Sequence, residues 1–183
     1  MIGNKFNFCP ECGGKNISYL ENKKWFCADC GFDLYNNVAA AVGAIISDAE
    51  NNVLFEIRAK EPRKGFLALP GGFVDRDETA EQAVVRECLE ETGVQPEKVK
   101  YLCSFPNDYL YKNIAYKTCD LFFDASIHAG EGNVHELIKR LHGQDSEVSG
   151  FAVKKIDSKD AIEKLPLAFE SAKKALSYWL SFR

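Results

Sequence analysis

Three glutamates, Glu87, Glu90 and Glu91, stand at the spacing i, i+3 and i+4 in a segment with a helical pattern. This spacing places all three side chains on one face of a helix. Carboxylates so close together repel one another, and a hard divalent cation relieves that repulsion, since oxygen ligands suit magnesium and manganese. Arg86, four residues before Glu90, is expected to hold that carboxylate by an ion pair.

A loop rich in glycine, Leu69-Pro70-Gly71-Gly72, precedes this helix. It is expected to bring backbone carbonyl and amide groups close to the same cation. For the glutamates alone, a solvated helix face is the commoner explanation. The loop and the helix taken together favour a site that binds both a metal ion and phosphate.

The loop and the helix share one extended motif. It reads Gly72-x5-Glu78-x7-Arg86-Glu87-Cys88-x-Glu90-Glu91-x-Gly93-Val94. This string resembles the Nudix box, the signature of the Nudix hydrolase family, with Cys88 where an aliphatic residue is usual. The preceding segment, 65–72, is also similar to that family, and the resemblance covers roughly residues 38–182.

The resemblance implies an α/β/α sandwich with a mixed sheet (class α+β) and hydrolysis of nucleoside diphosphates linked to another group. By position, Glu87, Glu90 and Glu91 would bind catalytic Mg²⁺ or Mn²⁺, with the Gly72 carbonyl as a further ligand. Glu78 and Arg86 would orient the loop and helix by ion pairing.

A further acidic residue, Glu147, stands just before a late strand, where many family members place a metal ligand or base. Asp145 lies two residues away, and an exposed loop acid is an equally good explanation of Glu147. The proton of the attacking water is expected to go to Glu90 or Glu147.

Two CxxC pairs, Cys9-Cys12 and Cys27-Cys30, are separated by fourteen residues in the N-terminal segment. Four thiolates fill all four positions of a tetrahedral zinc ion, so the predicted site is structural. Metal binding would let residues 1–35 fold with little core, ahead of a hydrolase domain at 38–183. The predicted zinc ribbon has three open roles, namely contacting substrate, forming a homodimer or capping the fold.

The choice of substrate is less well defined by the sequence. A zinc ribbon before such a domain resembles the NADH pyrophosphatase branch, but residues 104–111 keep only part of that branch's motif. Three aromatic residues, Phe105, Tyr109 and Tyr111, either stack on a base or pack within the sheet. Arg58 either meets phosphate or is solvated.

Hydropathy and turn residues predict the elements around these motifs. The expected strands are 38–47, 53–59, 99–105, 115–125 and 148–156, with the first two paired across the turn at 48–52. The long helix is expected to begin at a cap on Asp75 or Asp77 and to end at Gly93. A short helix or insert at 131–143 and an amphipathic helix at 169–182 complete the chain.

The bulk composition argues against several classes of protein. The 183 residues carry a net charge of −4, which argues against a nucleic-acid protein, and no apolar run would span a bilayer. The N-terminus lacks the apolar core of a signal peptide, so a cytoplasmic location is expected. The substrate expected from the family resemblance is a small nucleotide. Two alternatives remain, a nucleotide-sensing domain without catalysis and a zinc-ribbon adaptor for RNA.

Overall fold

A computed structural model of the chain describes residues 6–112, 114–126, 133–143 and 146–183. The chain divides into two compact units. The first comprises Met1–Val38 and Asp108–Lys117, and the second comprises Ala39–Asn107 and Thr118–Arg183. The domain limits inferred from the sequence, 1–35 and 38–183, stay a prediction.

The first unit contains a small antiparallel sheet. Its strands are β1 (Ile17–Leu20), β2 (Lys24–Cys27) and β3 (Asp33–Tyr35), in the order β1-β2-β3. Trp25 on β2 is buried, and its ring lies 4.9 Å from those of Phe6 and Tyr19. Such a small apolar cluster gives this sheet little core of its own.

The second unit is a mixed assembly of strands and helices, two of whose strands continue into residues 108–117. Its elements are β4 (Ala39–Ile46), β5 (Asn52–Arg58), β6 (Leu67–Ala68), α1 (Ala80–Thr92), β7 (Lys98–Tyr111), β8 (Ile114–Ser126), α2 (Val134–Leu137), β9 (Val148–Lys155), α3 (Lys159–Glu163) and α4 (Glu170–Leu180). One sheet has the order β4-β8-β7 and the other β6-β5-β9. Strand β4 runs parallel to β8, whereas β5 is antiparallel to both neighbours.

The pairing expected between the first two strands is wrong. Strand β4 pairs with β8, whereas β5 lies between β6 and β9. An isolated bridge between Ser47, the residue after β4, and Val53 of β5 connects these two strands. Asp48 accepts hydrogen bonds from the amides of Glu50 and Asn52 at 3.0 Å. Such a turn forms equally well within a β-hairpin and between strands of two different sheets. The turn residues therefore did not predict which of these two connections is present.

Helix α1 begins later than expected. Neither Asp75 nor Asp77 caps it; the N-cap is Thr79, whose hydroxyl accepts from the Gln82 amide while the Gln82 side chain accepts from the Thr79 amide. This reciprocal capping box satisfies two amides at once, an advantage over a single aspartate. The helix ends as predicted at Gly93, which adopts a left-handed conformation with φ of 74°.

Two apolar clusters lie on opposite faces of β5. Val53 and Phe55 belong to the cluster that contains α4 residues such as Trp179, and Leu54 belongs to the cluster that contains Val84 of α1. Successive side chains of a strand point to opposite faces, so the sheet layer lies between α1 and α4. The predicted α/β/α sandwich is therefore confirmed.

The remaining elements of the second unit follow the expectations in part. Strands β7 and β8 are longer than predicted, and β6 and α3 were not expected. The 131–143 segment contains α2 and a 3₁₀ turn, Ile138–Arg140. Among the described residues, no helix has the length and apolar character needed to span a membrane.

Candidate active site

The glycine loop is attached to β4 by backbone hydrogen bonds. The amide of Val42 donates to the Gly72 carbonyl and that of Ala44 to the Pro70 carbonyl, both at 2.8 Å. Gly71 has a φ of 148°, and a Cβ added there would collide with the Val42 carbonyl oxygen. Glycine is required at this position because the loop crosses β4 so closely.

Arg86 of α1 connects the helix to the loop. Its guanidinium donates to both oxygens of Glu78, at 2.7 and 3.2 Å, and to the Phe73 carbonyl at 3.1 Å. The same group donates to Glu87 at 2.8 Å and to Glu90 at 3.2 Å. The expected i, i+4 pair with Glu90 is therefore present, and Arg86 fixes two of the clustered carboxylates while it anchors the loop.

The three box glutamates differ in depth. Glu91 is 4% exposed, the Glu87 side chain is 12% exposed and the Glu90 side chain is 50% exposed. The Gly71 amide donates to Glu91 at 2.7 Å, and a Cβ built on Gly72 would lie 2.5 Å from a carboxylate oxygen of Glu87. The loop glycines thus lie directly against the two deeper carboxylates.

The electrostatics of the cluster follow from burial and from crowding of like charges. Burial raises the pKa of Glu87, and burial followed by the charge of Glu56 raises the pKa of Glu91 well above its ordinary value. The hydrogen bond from Arg86 lowers the pKa of Glu78. Glu78 is therefore a firm anion in the ion pair, whereas burial disfavours the ionised forms of Glu87 and Glu91.

Sequence reasoning missed one carboxylate of this site, Glu56 on β5. Its side chain is 2% exposed and lies in hydrogen-bond contact with Glu91. Burial raises the pKa of Glu56 to about 7. An available signal was the position of Glu56 within a strongly apolar strand, where a charged residue has no packing reason to stand.

Glu147 lies near the same carboxylates, since its charge acts on both Glu56 and Glu87. It forms an ion pair with Lys60, and its backbone carbonyl accepts from the Ala59 amide at 2.7 Å. The turn before β9 thereby brings Glu147 to the end of β5. The neighbouring candidate, Asp145, lies outside the described residues.

Two of the four expected substrate-binding residues, Arg58 and Phe105, have contacts within the second unit. The Arg58 guanidinium lies 5.2 Å from the ring centre of Phe169, and its Nε donates to the Pro62 carbonyl at 2.9 Å. Phe105 packs against the apolar cluster that contains Trp179. Tyr109 belongs to the first unit, and the side chain of Tyr111 lies outside the described residues.

The four cysteines of the first unit form a compact cluster. Their sulfurs lie within 4.8 Å of one another, with Cys9 and Cys30 3.7 Å apart and Cys12 and Cys27 3.8 Å apart. Four sulfurs bound at about 2.3 Å to one tetrahedral ion would lie about 3.8 Å apart. Burial acts to raise the pKa of Cys9, but amide hydrogen bonds from Cys12 and Glu11 lower it to about 7.

Comparison with known proteins adds relatives that match part of the chain. An ADP-ribose pyrophosphatase of Methanocaldococcus jannaschii is 52% identical over 71 residues, which cover 39% of this chain and 41% of that protein. An NAD-capped RNA hydrolase NudC of Vibrio vulnificus is 30% identical over 130 residues, covering 68% of this chain and 44% of that protein. The chain therefore spans less than half the length of these relatives.

Two solved structures share the fold. The NUDIX domain of Shewanella oneidensis NrtR complexed with ADP ribose has a TM-score of 0.61 at 22% identity, covering 81% of this chain and 90% of that one. A NUDIX hydrolase from Nitrosomonas europaea has a TM-score of 0.60 at 24% identity, covering 96% of this chain and 91% of that one.

The family itself is shown by the match of a whole domain model. The model of the NUDIX domain matches residues 38–176, which include the glycine loop, α1 and Glu147. That range is more than half of the chain and holds every box residue described above. The chain therefore belongs to the NUDIX domain family.

Proposed function

We propose that the chain hydrolyses a diphosphate linkage in a nucleoside diphosphate derivative, with Mg²⁺ or Mn²⁺ as the catalytic cation. The observation that carries this proposal is the Arg86 network, which holds Glu87 and Glu90 against the loop that also meets Glu91. Carboxylates clustered beside backbone carbonyl groups suit a divalent cation, which prefers oxygen ligands. The names of the two relatives, an ADP-ribose pyrophosphatase and an NAD-capped RNA hydrolase, support the same reaction.

The box residues have two proposed roles, binding the cation and positioning the loop and helix. Glu87, Glu90 and Glu91 are the proposed cation ligands, and the Gly72 carbonyl is a further one, since a carbonyl that accepts from Val42 keeps a second lone pair. A divalent cation, when bound, neutralises the diphosphate charge and activates a water molecule. Glu78 and Arg86 would hold the loop in position relative to the helix through their ion pair.

The proton of the attacking water needs an acceptor near solvent. Glu90 and Glu147 both meet this requirement, because their side chains are 50% and 36% exposed. Each also forms an ion pair, Glu90 with Arg86 and Glu147 with Lys60. We retain both as candidate bases.

The substrate class follows from the chemistry common to the relatives. ADP-ribose and NAD each contain a diphosphate that joins adenosine to a second ribose. Arg58, Phe105, Tyr109 and Tyr111 remain candidates for contacts with the groups on either side of that diphosphate. Arg58 contacts Phe169 and Pro62, and Phe105 packs against the apolar cluster that contains Trp179. Each side chain would have to keep these contacts while it binds substrate.

A substrate panel tests the proposal. Purified protein would be incubated with magnesium or manganese and NADH, NAD, ADP-ribose, a flavin dinucleotide, nucleoside triphosphates and an NAD-capped oligoribonucleotide, and the products separated by chromatography. We expect release of a mononucleotide that requires the divalent cation. Tight binding of ADP-ribose without turnover would instead establish a sensor, and cation-independent turnover would contradict the assigned site.

We propose in addition that Cys9, Cys12, Cys27 and Cys30 hold a structural zinc ion. The support is the match between their sulfur separations and those of a tetrahedral four-thiolate site. Four protein ligands leave no position for water, so this ion would stabilise the first unit and take no part in hydrolysis.

A further inference from the structure

Glu56 occupies a core position of β5. Val53 and Phe55 face the cluster that contains Trp179, and Leu54 faces α1. Because strand side chains alternate, Glu56 shares the face of Leu54 and points toward α1. An apolar side chain would complete this face at no electrostatic cost, whereas the carboxylate is 2% exposed.

The surroundings of Glu56 do not explain its burial. The carboxyl group contacts Glu91, which is itself 4% exposed, and the charges of Glu87 and Glu147 add to the repulsion. Arg58 is a cation whose charge acts on Glu56, but its Nε donates to the Pro62 carbonyl. Within the described part of the chain, the Oε2 atom of Glu56 has no hydrogen-bond partner.

A buried oxygen without a partner indicates a bound group that completes the site. A positive group fits there, because Glu56 contacts Glu91 and the negative charges of Glu87 and Glu147 also act on Glu56. It must also accept oxygen ligands from carboxylates, which suits Mg²⁺ or Mn²⁺.

We propose that Glu56 is a further ligand of the catalytic cation, which it shares with Glu91 at the deep end of the site. This inference rests on the metal site of the proposed function and adds to the box a ligand from a different element. A ligand on the central strand of a sheet fixes the cation relative to the core, while the box residues approach it from α1.

Metal binding without substrate tests the inference directly. The full chain would be titrated with Mn²⁺, with free Mn²⁺ followed by electron paramagnetic resonance, for the parent, Glu56→Gln, Glu56→Leu and Glu91→Gln. Asp120→Asn is the matched control, because Asp120 is also buried but accepts hydrogen bonds from Thr118 and Ser171, both at 2.6 Å. We expect Glu56→Gln, Glu56→Leu and Glu91→Gln each to weaken Mn²⁺ binding about tenfold or more, and Asp120→Asn to keep the parental affinity.

Thermal unfolding supplies a readout that separates a ligand from a structural carboxyl group. Without metal, Glu56→Leu should unfold at a higher temperature than the parent, because it removes a buried carboxylate without a full set of partners. With Mn²⁺, the rise in unfolding temperature should be smaller in the variant than in the parent. A purely structural Glu56 would lower the metal-free unfolding temperature when replaced and leave the metal-induced rise unchanged.

The outcomes distinguish the two proposals. Parental Mn²⁺ affinity in folded Glu56→Gln or Glu56→Leu, together with loss in Glu91→Gln, would overturn the role of Glu56 and leave the proposed function intact. Absence of Mn²⁺ binding by the parent would overturn the catalytic metal site itself, and the inference with it. Glu56-dependent binding by a protein that turns over no substrate would support the inference and contradict the hydrolase.

Discussion

At the scale of single residues, position in the site separates glutamates that look alike in the sequence. Glu87, Glu90 and Glu91 form one helical triplet, yet Glu91 is buried against the Gly71 amide, Glu87 lies under Gly72, and Glu90 is half exposed. Burial strengthens the interaction of a carboxylate with a cation because water no longer screens it. The deepest carboxylate should therefore matter most for metal binding and the outermost for proton transfer.

Replacement of Glu91 by glutamine tests this order. Glu91→Gln should fold normally, since the amide keeps the shape of the side chain and removes a charge that burial disfavours. It should lower turnover at least about hundredfold, because the cation stabilises transition-state charge by several kcal/mol. Steady-state kinetics on the best substrate of the panel measures the loss, with circular dichroism to check folding. Turnover near that of the parent would remove Glu91 from the site.

At the scale of elements, the glycine loop and the start of α1 act as one structural piece. The loop is bonded to β4 through the carbonyls of Pro70 and Gly72, and Arg86 joins it to α1 through Glu78 and the Phe73 carbonyl. The box motif is contiguous because the residues that Arg86 joins lie close together along the chain. Its geometry nevertheless depends on β4, which supplies the amides that orient the loop.

The two loop glycines should respond differently to a methyl group. Gly71→Ala should lower the unfolding temperature, because its Cβ would meet the Val42 backbone and its φ of 148° disfavours a side chain. Gly72→Ala meets the flexible end of Glu87 instead, so it should leave the unfolding temperature nearly unchanged and weaken Mn²⁺ binding. Differential scanning fluorimetry and Mn²⁺ titration of both variants measure the contrast. Equal loss of stability would show that the Gly72 contact is rigid.

The ion pair of Glu78 with Arg86 should make a contribution to stability that depends on pH. Arg86 lowers the folded-state pKa of Glu78 below 4.5, so the unfolded state binds more protons in this range. The contribution is complete above 4.5 and disappears as the pH falls through the folded-state pKa. The difference in unfolding temperature between the parent and Glu78→Gln should therefore shrink on acidification below 4.5. A difference that grew on acidification would contradict the assignment.

At the scale of the whole molecule, the two units depend on different sources of stability. The second unit has two apolar clusters, one on each side of β5. The first has a three-stranded sheet, one buried tryptophan and the cysteine cluster. Burial of apolar surface can stabilise the second unit alone, whereas we expect the first to need a bound metal ion.

Removal of zinc should therefore unfold the first unit and spare the second. The chain has two tryptophans, Trp25 in the first unit and Trp179 in the second, and both are buried. A strong chelator should shift the emission of Trp25 to longer wavelength in Trp179→Phe and leave that of Trp179 unchanged in Trp25→Phe. Atomic emission should find one zinc ion per untreated chain, and Cys12→Ser should lower that content. An unchanged Trp25 spectrum after zinc loss would show that the ion is dispensable.

The sequence by itself determined the family, the box residues and the cysteine cluster, because each depends on contacts between residues near one another in the chain. Helical spacing alone places Glu87, Glu90 and Glu91 on one face, and Gly93 ends the helix where it was expected. The start of α1 was misplaced since several residues near it can cap a helix, and the capping box at Thr79 prevailed.

Only the tertiary structure decided which strands pair and which distant side chains join the site. The parallel pairing of β4 with β8 and the approach of Glu56 and Glu147 to the box connect residues far apart in the chain. Side-chain periodicity predicts which face a residue occupies but not which element covers that face. The apolar strand around Glu56 makes this residue unusual in the sequence, but only the packing of α1 over that face brings its charge close to that of Glu91.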